Sequence, residues 1–253
     1  VLLLEAGPSD GSLKIKVPLG YGSLFYDQKF NWKYETEPEP ELKGRRMYWP
    51  RGKVLGGSSA INAMVYVRGH PNDYEEWADV APSWNWSNVE PYFKKIESWK
   101  GEDSPVRGKS GPVGVTNVEN DVHPLTANYL EAGQELGFPY NRDYNGNHME
   151  GVAVYQTTTF NGLRVSSASA YIAKKKRSKN LKVISNALVT NLIFEGKRVV
   201  GVSFFKGNKE TKVLTRGEVI LSAGALNSAQ LLYLSGLGPA NELKSHGISV
   251  LQD

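Results

Sequence analysis

With 253 residues, the chain can bury one large core or two modest ones, and its composition is that of a globular protein. The absence of cysteine excludes disulfides, thiolate metal ligands and thiol nucleophiles while leaving the compartment open; no apolar run approaches the roughly 20 residues that span a bilayer. A formal charge of +4 is mildly basic, part of it from Lys174-Lys175-Lys176-Arg177, which reads as a solvated helix end or, alternatively, as a contact for nucleic acid or anionic lipid. The chain opens at Val1 inside an apolar run and stops at Val250-Leu251-Gln252-Asp253, which leads to the expectation that it is an internal piece of a longer protein.

Val1 to Gly7 has the form of a buried parallel strand, apolar on both faces, that ends in Glu5, Ala6 and Gly7. In dinucleotide-binding folds an acid in this place binds the adenosine ribose, about 20 residues beyond a G-x-G-x-x-G loop; that distance falls before Val1. From Pro8 to Met47 there is little periodicity and much aromatic character, which suggests a long covering loop or a packed surface excursion.

Next comes Trp49-Pro50-Arg51-Gly52-Lys53-Val54-Leu55-Gly56-Gly57-Ser58-Ser59-Ala60-Ile61-Asn62-Ala63-Met64. Pro50 stiffens the backbone, Gly56 and Gly57 allow main chain to approach a ligand, and Ser58 and Ser59 suit a helix start that favours an anion; an ordinary Gly-Gly-Ser-Ser turn is the competing reading. A helix is expected from Asn72 or Asp73 with Tyr74 and Trp77. A second is capped by the box Ser87-Asn88-Val89-Glu90 with Pro91 in its first turn, and a third runs from Leu125 to Leu136, buries Leu125, Tyr129, Ala132 and Leu136, and closes at Gly137. Residues 100–123 read as a connector between domains.

Val152 to Phe160 alternates like an antiparallel strand, and Arg164 to Tyr171 turns into a short helix. Leu181 to Phe194 and Val199 to Phe205 read as a hairpin with Thr211 to Thr215 as a third strand. Glu218 to Gly224 reads as a second buried parallel strand that runs into a helix, Ala225 to Leu234. Its Ala223-Gly224-Ala225 end either receives a nucleotide or serves tight helix–strand packing.

Gly52 to Asn62, with Tyr66 and Gly69, resembles the first signature of the glucose–methanol–choline (GMC) flavoprotein oxidoreductases, and Gly224 to Leu232 with Ser235-Gly236-Leu237-Gly238 is similar to the second, Ala229 standing where Pro or Ser is usual. Leu4 to Gly7, Asn31 to Thr36 and Asp73 to Trp77 extend the likeness over nearly the whole chain. The resemblance implies an α/β fold (α+β overall), with an incomplete doubly wound FAD-binding domain and part of an antiparallel-sheet substrate domain. The expected domains are 1–100 (FAD-binding, first part, with a lid at about 8–48), 101–160 (substrate) and 161–253 (FAD-binding, second part).

By that resemblance Glu5 and Ala6 would take the adenosine ribose, Ala187 to Val189 and Ala223, Gly224 and Ala225 the adenine side, and Trp49, Arg51, Gly52, Gly56, Gly57, Ser58 and Ser59 the pyrophosphate and ribityl chain. Asn62, Ala63 and Met64 would meet the flavin ring. Ile61 replaces a histidine that some members bond to the flavin, so FAD is expected to be non-covalent. The implied reaction oxidises an alcohol by hydride transfer to flavin N5, with a histidine base expected beyond Asp253. His70, His123, His148 and His246 do not match that base, so no catalytic residue and no metal ligand is assigned. The expected partner is a small alcohol, with the electron acceptor undetermined, no nucleic acid, no transmembrane segment and room for peripheral membrane association. The alternatives are a lyase or photodecarboxylase of the same fold, and a basic binding module working through Lys174 to Lys179.

Overall fold

The computed structural model describes residues 1–175 and 178–253, so Lys176 and Arg177 of the basic run lie outside the described residues. The strands are β1 (Leu2–Leu4), β2 (Tyr34–Glu35), β3 (Tyr48–Trp49), β4 (Glu97–Trp99), β5 (Val113–Asn117), β6 (Gln156–Thr157), β7 (Thr159–Phe160), β8 (Leu163–Arg164), β9 (Lys182–Ile184), β10 (Ala187–Glu195), β11 (Arg198–Lys206) and β12 (Lys209–Leu214). The α-helices are α1 (Leu13–Lys16), α2 (Tyr21–Leu24), α3 (Pro71–Ala78), α4 (Trp86–Ile96), α5 (Leu125–Glu135), α6 (Gly224–Leu234) and α7 (Ala240–Ser245). Parallel and antiparallel pairs mixed with helices put the chain in the expected α/β class.

The chain forms two compact units. The first comprises Val1–Ser9, Gln28–Gly57 and Lys176–Asp253. In it β1 lies parallel to β9, with Leu2–Leu4 opposite Lys182–Ile184. The apolar stretch expected as one strand from 181 to 194 splits, because Asn186 at φ 55 takes the left-handed conformation and directs β10 into a separate sheet. That sheet is the antiparallel meander β10-β11-β12; Glu195 pairs with Arg198 across a two-residue turn in which Gly196 has φ 59. Leu192, Val202 and Leu231 are buried together, with Leu4, Val189, Val219 and Leu221 packed around them. Residues 218–223, expected as a second parallel strand, form no ladder among the described residues. Val219 and Leu221 pack on the apolar cluster while Ile220 is 76% exposed, so only one side of the stretch is covered, not the two faces of a buried strand.

The second unit comprises Asp10–Asp27 and Ser58–Lys175. The stretch expected as one covering loop is therefore divided: Asp10–Asp27 buries Ile15 and Leu24 in this unit, whereas Phe30 and Asn31 are buried in the first. Residues 58–100, expected with the FAD-binding segment, also belong to this second unit. Its sheet has the order β4-β5-β6, with β4 parallel and β6 antiparallel to β5, around the buried cluster Tyr66, Trp99 and Val115. The strand expected over 152–160 is only β6 and β7, since Thr158 leaves the ladder and gives its N–H to Met64 O at 2.7 Å. A buried carboxylate, Glu97, receives both Arg68 and Arg107, and Arg107 stacks its guanidinium 3.8 Å from the Trp99 ring centre.

The helices differ in detail from expectation. The cap of α4 is Asn85, whose Oδ1 accepts the Asn88 N–H at 3.0 Å; the helix consequently starts before Ser87 and Pro91 is an interior residue. Leu125 and Tyr129 on α5 and Leu136 just after it are 69%, 74% and 79% exposed, and the helix instead turns Thr126, Leu130 and Gly133 inward. Gly133 has no side chain and meets Val152, which fixes that rotation. The short helix after Arg164 is a π-helical turn, Ala168–Ile172, entered through Ser169 Oγ donating to Ser166 O at 2.9 Å.

Candidate functional site

In the first unit the end of β1 is the fixed point. Glu5 N–H donates to Ile184 O at 3.0 Å and Ala187 N–H to Glu5 O at 2.9 Å, so its main chain is held by the end of β9 and the start of β10. Gly7 N–H donates to Glu5 Oε1 at 2.8 Å. Burial raises the Glu5 carboxyl above its usual range, against the opposing pull of that N–H. Gly7 then crosses Lys53 so closely that only glycine fits: a Cβ would stand 1.8 Å from the Lys53 carbonyl oxygen.

The segment 49–57 is strapped by Asn31, whose Oδ1 accepts the N–H groups of Arg51 at 3.0 Å and Lys33 at 2.8 Å. Lys53 N–H donates to Phe30 O at 2.7 Å and Leu55 N–H to Pro8 O at 2.9 Å. The Arg51 guanidinium lies 4.7 Å from the Trp49 ring centre, and Trp49 pairs with Tyr34 across β2 and β3. Tyr34 OH in turn donates to Asn227 Oδ1 at 3.0 Å, fastening this edge to the first turn of α6. Burial pushes the Tyr34 hydroxyl up, so it stays a donor at neutral pH. Ala223, Gly224 and Ala225 are exposed, and Gly224 has φ 86 with open space where a Cβ would be. Val189 is half-buried on β10 and packs on the same cluster as Leu4, the residue before Glu5.

Gly56 at φ 99 and Gly57 at φ 56 lead into the second unit through a four-residue 3₁₀ turn, Gly57–Ala60. This replaces the α-helix start expected at Ser58 and Ser59, so the turn carries no appreciable helix dipole. Ser58 O accepts the N–H groups of Ile61 at 3.1 Å and Asn62 at 2.9 Å. Ser58, Asn62 and Ala63 are exposed, while Ile61 and Met64 turn inward at 2% and 5% exposure. Met64 has φ 65, a conformation held by its N–H donating to Asn62 Oδ1 at 3.0 Å. Ser167 N–H donates to Ser59 Oγ at 2.9 Å.

The sequence-expected residues thus fall into two sets. Glu5, Ala6, Trp49, Arg51, Gly52, Gly56, Gly57, Val189, Ala223, Gly224 and Ala225 belong to the first unit; Ser58, Ser59, Asn62, Ala63 and Met64 belong to the second. Sequence reasoning missed Tyr34 and Asn227 as partners, which lie 193 positions apart, and it missed Arg164, whose charge gave no sign of burial. The histidines have local tasks. His70 Nδ1 accepts Asn72 N–H at 3.1 Å to cap α3, His123 Nδ1 accepts Leu125 N–H at 3.2 Å at the start of α5, and His246 ends α7. His148 lines a cavity of about 320 Å³ in the second unit with Trp99, Asn141 and Asp143.

A strand ending in a half-buried acid, two positive-φ glycines and an α/β framework are the arrangement of a nucleotide-cofactor type of protein. The profile of the family described as GMC oxidoreductase matches residues 6–249, and the chain belongs to that family. Alcohol dehydrogenase (acceptor) of Pseudomonas putida is 44% identical over 257 residues, covering 100% of this chain and 46% of its own length. The mitochondrial choline dehydrogenase of Homo sapiens is 44% identical over 259 residues, covering 99% and 43%. The solved FAD-dependent oxidoreductase from Chaetomium thermophilum superposes with a TM-score of 0.91 at 31% identity, covering 100% of this chain and 46% of that one. The chain therefore spans about half the length of the relatives it matches.

Proposed function

We propose that this chain is the FAD-holding portion of an oxidoreductase that converts an alcohol to an aldehyde or ketone. The observation that carries the reading is the similarity across 98–100% of the chain to proteins named alcohol and choline dehydrogenases. The residues present fit a bound FAD. Gly57 and Gly224 have φ 56 and 86 with nothing within 4 Å of an added Cβ, which leaves their main chain open to a ligand. Glu5 offers the ribose hydroxyls an acceptor clamped at the end of β1, alongside Ala6, with Val189 and Ala223 to Ala225 bordering the adenine. Trp49, Arg51, Gly52, Gly56 and Gly57 would follow the pyrophosphate, where the Arg51 cation offsets phosphate charge, and Ser58 and Ser59 the ribityl chain. Asn62, Ala63 and Met64 would border the ring. When bound, FAD supplies the hydride acceptor.

The chain's own contribution is binding and orientation. Asn31 and Gly7 hold segment 49–57, and the Asn62–Met64 hydrogen bond holds the ring-facing turn. None of the four histidines is proposed as the base, because each serves a helix end or a loop remote in sequence from these segments. Ile61 carries no nucleophile, so the cofactor is proposed to be dissociable. The small-molecule partner is an alcohol. No described helix is long and apolar enough to cross a membrane.

The test is anaerobic addition of choline or a primary alcohol to the naturally made protein. Bleaching of a bound flavin's visible absorption supports the reading. Purified, folded protein that carries no flavin and takes none up would overturn it.

A further inference from the structure

Arg164 stands apart from the other buried arginines. Arg68 and Arg107 share the carboxylate of Glu97. Arg164 is 5% exposed, yet no described carboxylate pairs with it. Its Nε donates to Ile15 O at 2.9 Å, and its Nη1 donates to Ser59 O at 3.2 Å and to Asn62 Oδ1 at 3.0 Å. Nη2 is buried without any partner among the described residues. Burial brings its pKa down to about 10, so the group is still a cation at neutral pH. An uncompensated buried cation that bonds only to neutral dipoles is costly, and such costs are retained where charge serves a site.

What Arg164 holds is the ring-facing turn. Asn62 Oδ1 is taken twice, by Arg164 and by Met64 N–H, which leaves the Nδ2 donors of an exposed carboxamide directed away from the guanidinium. Ser59, on the other arm of the turn, is held through its carbonyl by the same Nη1.

We propose that Arg164 is a positioning residue for the flavin, fixing the Asn62 carboxamide with its donors outward and lending segment 59–64 an uncompensated positive charge that favours the reduced ring. This rests on the reading that Asn62 to Met64 border the flavin. A hydride carries two electrons and one proton from the alcohol carbon to a neutral ring, which thereby gains one negative charge. The hydroxyl proton leaves separately to a base. A fixed cation near the ring stabilises the product of that transfer and not the oxidised form.

The experiment compares the FAD-loaded, naturally made protein with R164M, R164K and N62D, measuring the flavin midpoint potential by dye equilibration, FAD affinity by titration, and thermal unfolding. R164M is expected to shift the oxidised–reduced equilibrium at least tenfold toward the oxidised form, equivalent to about 30 mV for a two-electron couple. R164K keeps the charge and is expected to stay within threefold of the parent. N62D gives the guanidinium a carboxylate at the position it already contacts, so its potential is expected to fall as in R164M with no loss of thermal stability. A merely structural arginine would move unfolding in R164M and R164K together and leave the R164M potential unchanged. An unchanged potential in N62D overturns the proposal even where R164M fails to fold. Parent protein that binds no FAD overturns the functional reading instead, a result distinct from flavin bound at a potential insensitive to these substitutions.

Discussion

Gly7 and Lys53 meet backbone to backbone: a Cβ on Gly7 would lie 1.8 Å from the Lys53 carbonyl oxygen and 2.5 Å from Val54 N. Neither neighbour is a side-chain end that could swing aside, so Gly7→Ala must separate β1 from segment 49–57. Overpacking of this kind costs about 1–3 kcal/mol or more. Gly57→Ala is a useful contrast, because at Gly57 there is open space and only the left-handed φ of 56 resists a side chain, at about 1–2 kcal/mol. The expected order in thermal unfolding is parent, then Gly57→Ala, then Gly7→Ala with the lowest midpoint. A Gly7→Ala midpoint at or above that of Gly57→Ala would contradict the close crossing.

Substitution of Glu5 is expected to separate stability from cofactor binding. Its folded-state pKa is raised by burial, so the folded protein binds more protons than the unfolded chain over the interval just above 4.5. The sign follows: this residue favours folding below its unfolded pKa, and the contribution is lost as pH rises through the folded pKa. Glu5→Gln keeps an oxygen for Gly7 N–H and removes the titration. It is expected to be as stable as the parent at pH 7 or more so, with a flatter stability profile in the acid range, while FAD affinity falls about tenfold or more from loss of a charge-assisted hydrogen bond to ribose. Stability measured against pH, together with FAD titration, tests both halves; a parent-like affinity would remove Glu5 from the ribose role.

How much of this was legible in the sequence depended on how local the cause was. The β10–β11 hairpin and its third strand followed from alternation around Gly196, and the stop of α5 from Gly137, whose φ is 89. The acid at the end of β1 was legible because strand and acid are contiguous. The α5 face was misread because its rotation is set by Gly133 against Val152, a contact that no helical periodicity encodes. Residues 218–223 read as a buried strand because Val219-Ile220-Leu221 is a continuous apolar run, yet only Val219 and Leu221 pack on the core and Ile220 is exposed. Asn85 outcompeted Ser87 as the α4 cap because its side chain reaches the Asn88 N–H, and both residue types are good caps. The support of the candidate site was least legible of all, since Tyr34–Asn227 and Arg164–Asn62 join residues 193 and 102 positions apart.

The ion cluster around Glu97 is expected to behave as one unit. Both guanidiniums and the Gly108 N–H converge on a carboxylate whose side chain is 0% exposed, and Arg107 also donates to Gln156 Oε1 at 3.0 Å. Glu97→Gln leaves the buried Arg68 without its carboxylate partner and Arg107 with Asp143 as its remaining one, and should cost about 3–5 kcal/mol in denaturant unfolding. Arg107→Met strands part of the same network at a comparable cost. The double variant should cost clearly less than the sum of the two, because the second change removes a charge that the first left unpaired. Strictly additive effects would mean that the groups are not coupled.

The mode of flavin attachment gives the sharpest chemical test. Position 61 lies in the turn that precedes Asn62, and an aliphatic isoleucine there, 2% exposed, offers no atom that could join the ring. The chain has no cysteine, and two of its four histidines spend a ring nitrogen on helix caps, His70 on α3 and His123 on α5. Affinity is then expected to come from burial, hydrogen bonds and charge, which acid unfolding destroys while leaving any covalent bond intact. The expected outcome of acid precipitation of the FAD-loaded protein is a colourless pellet, with the flavin recovered in the supernatant in proportion to the protein used. A pellet that stays yellow after washing would show a covalent bond and would place against the ring a nucleophile that Ile61, Asn62, Ala63 and Met64, the residues proposed to lie near it, do not supply.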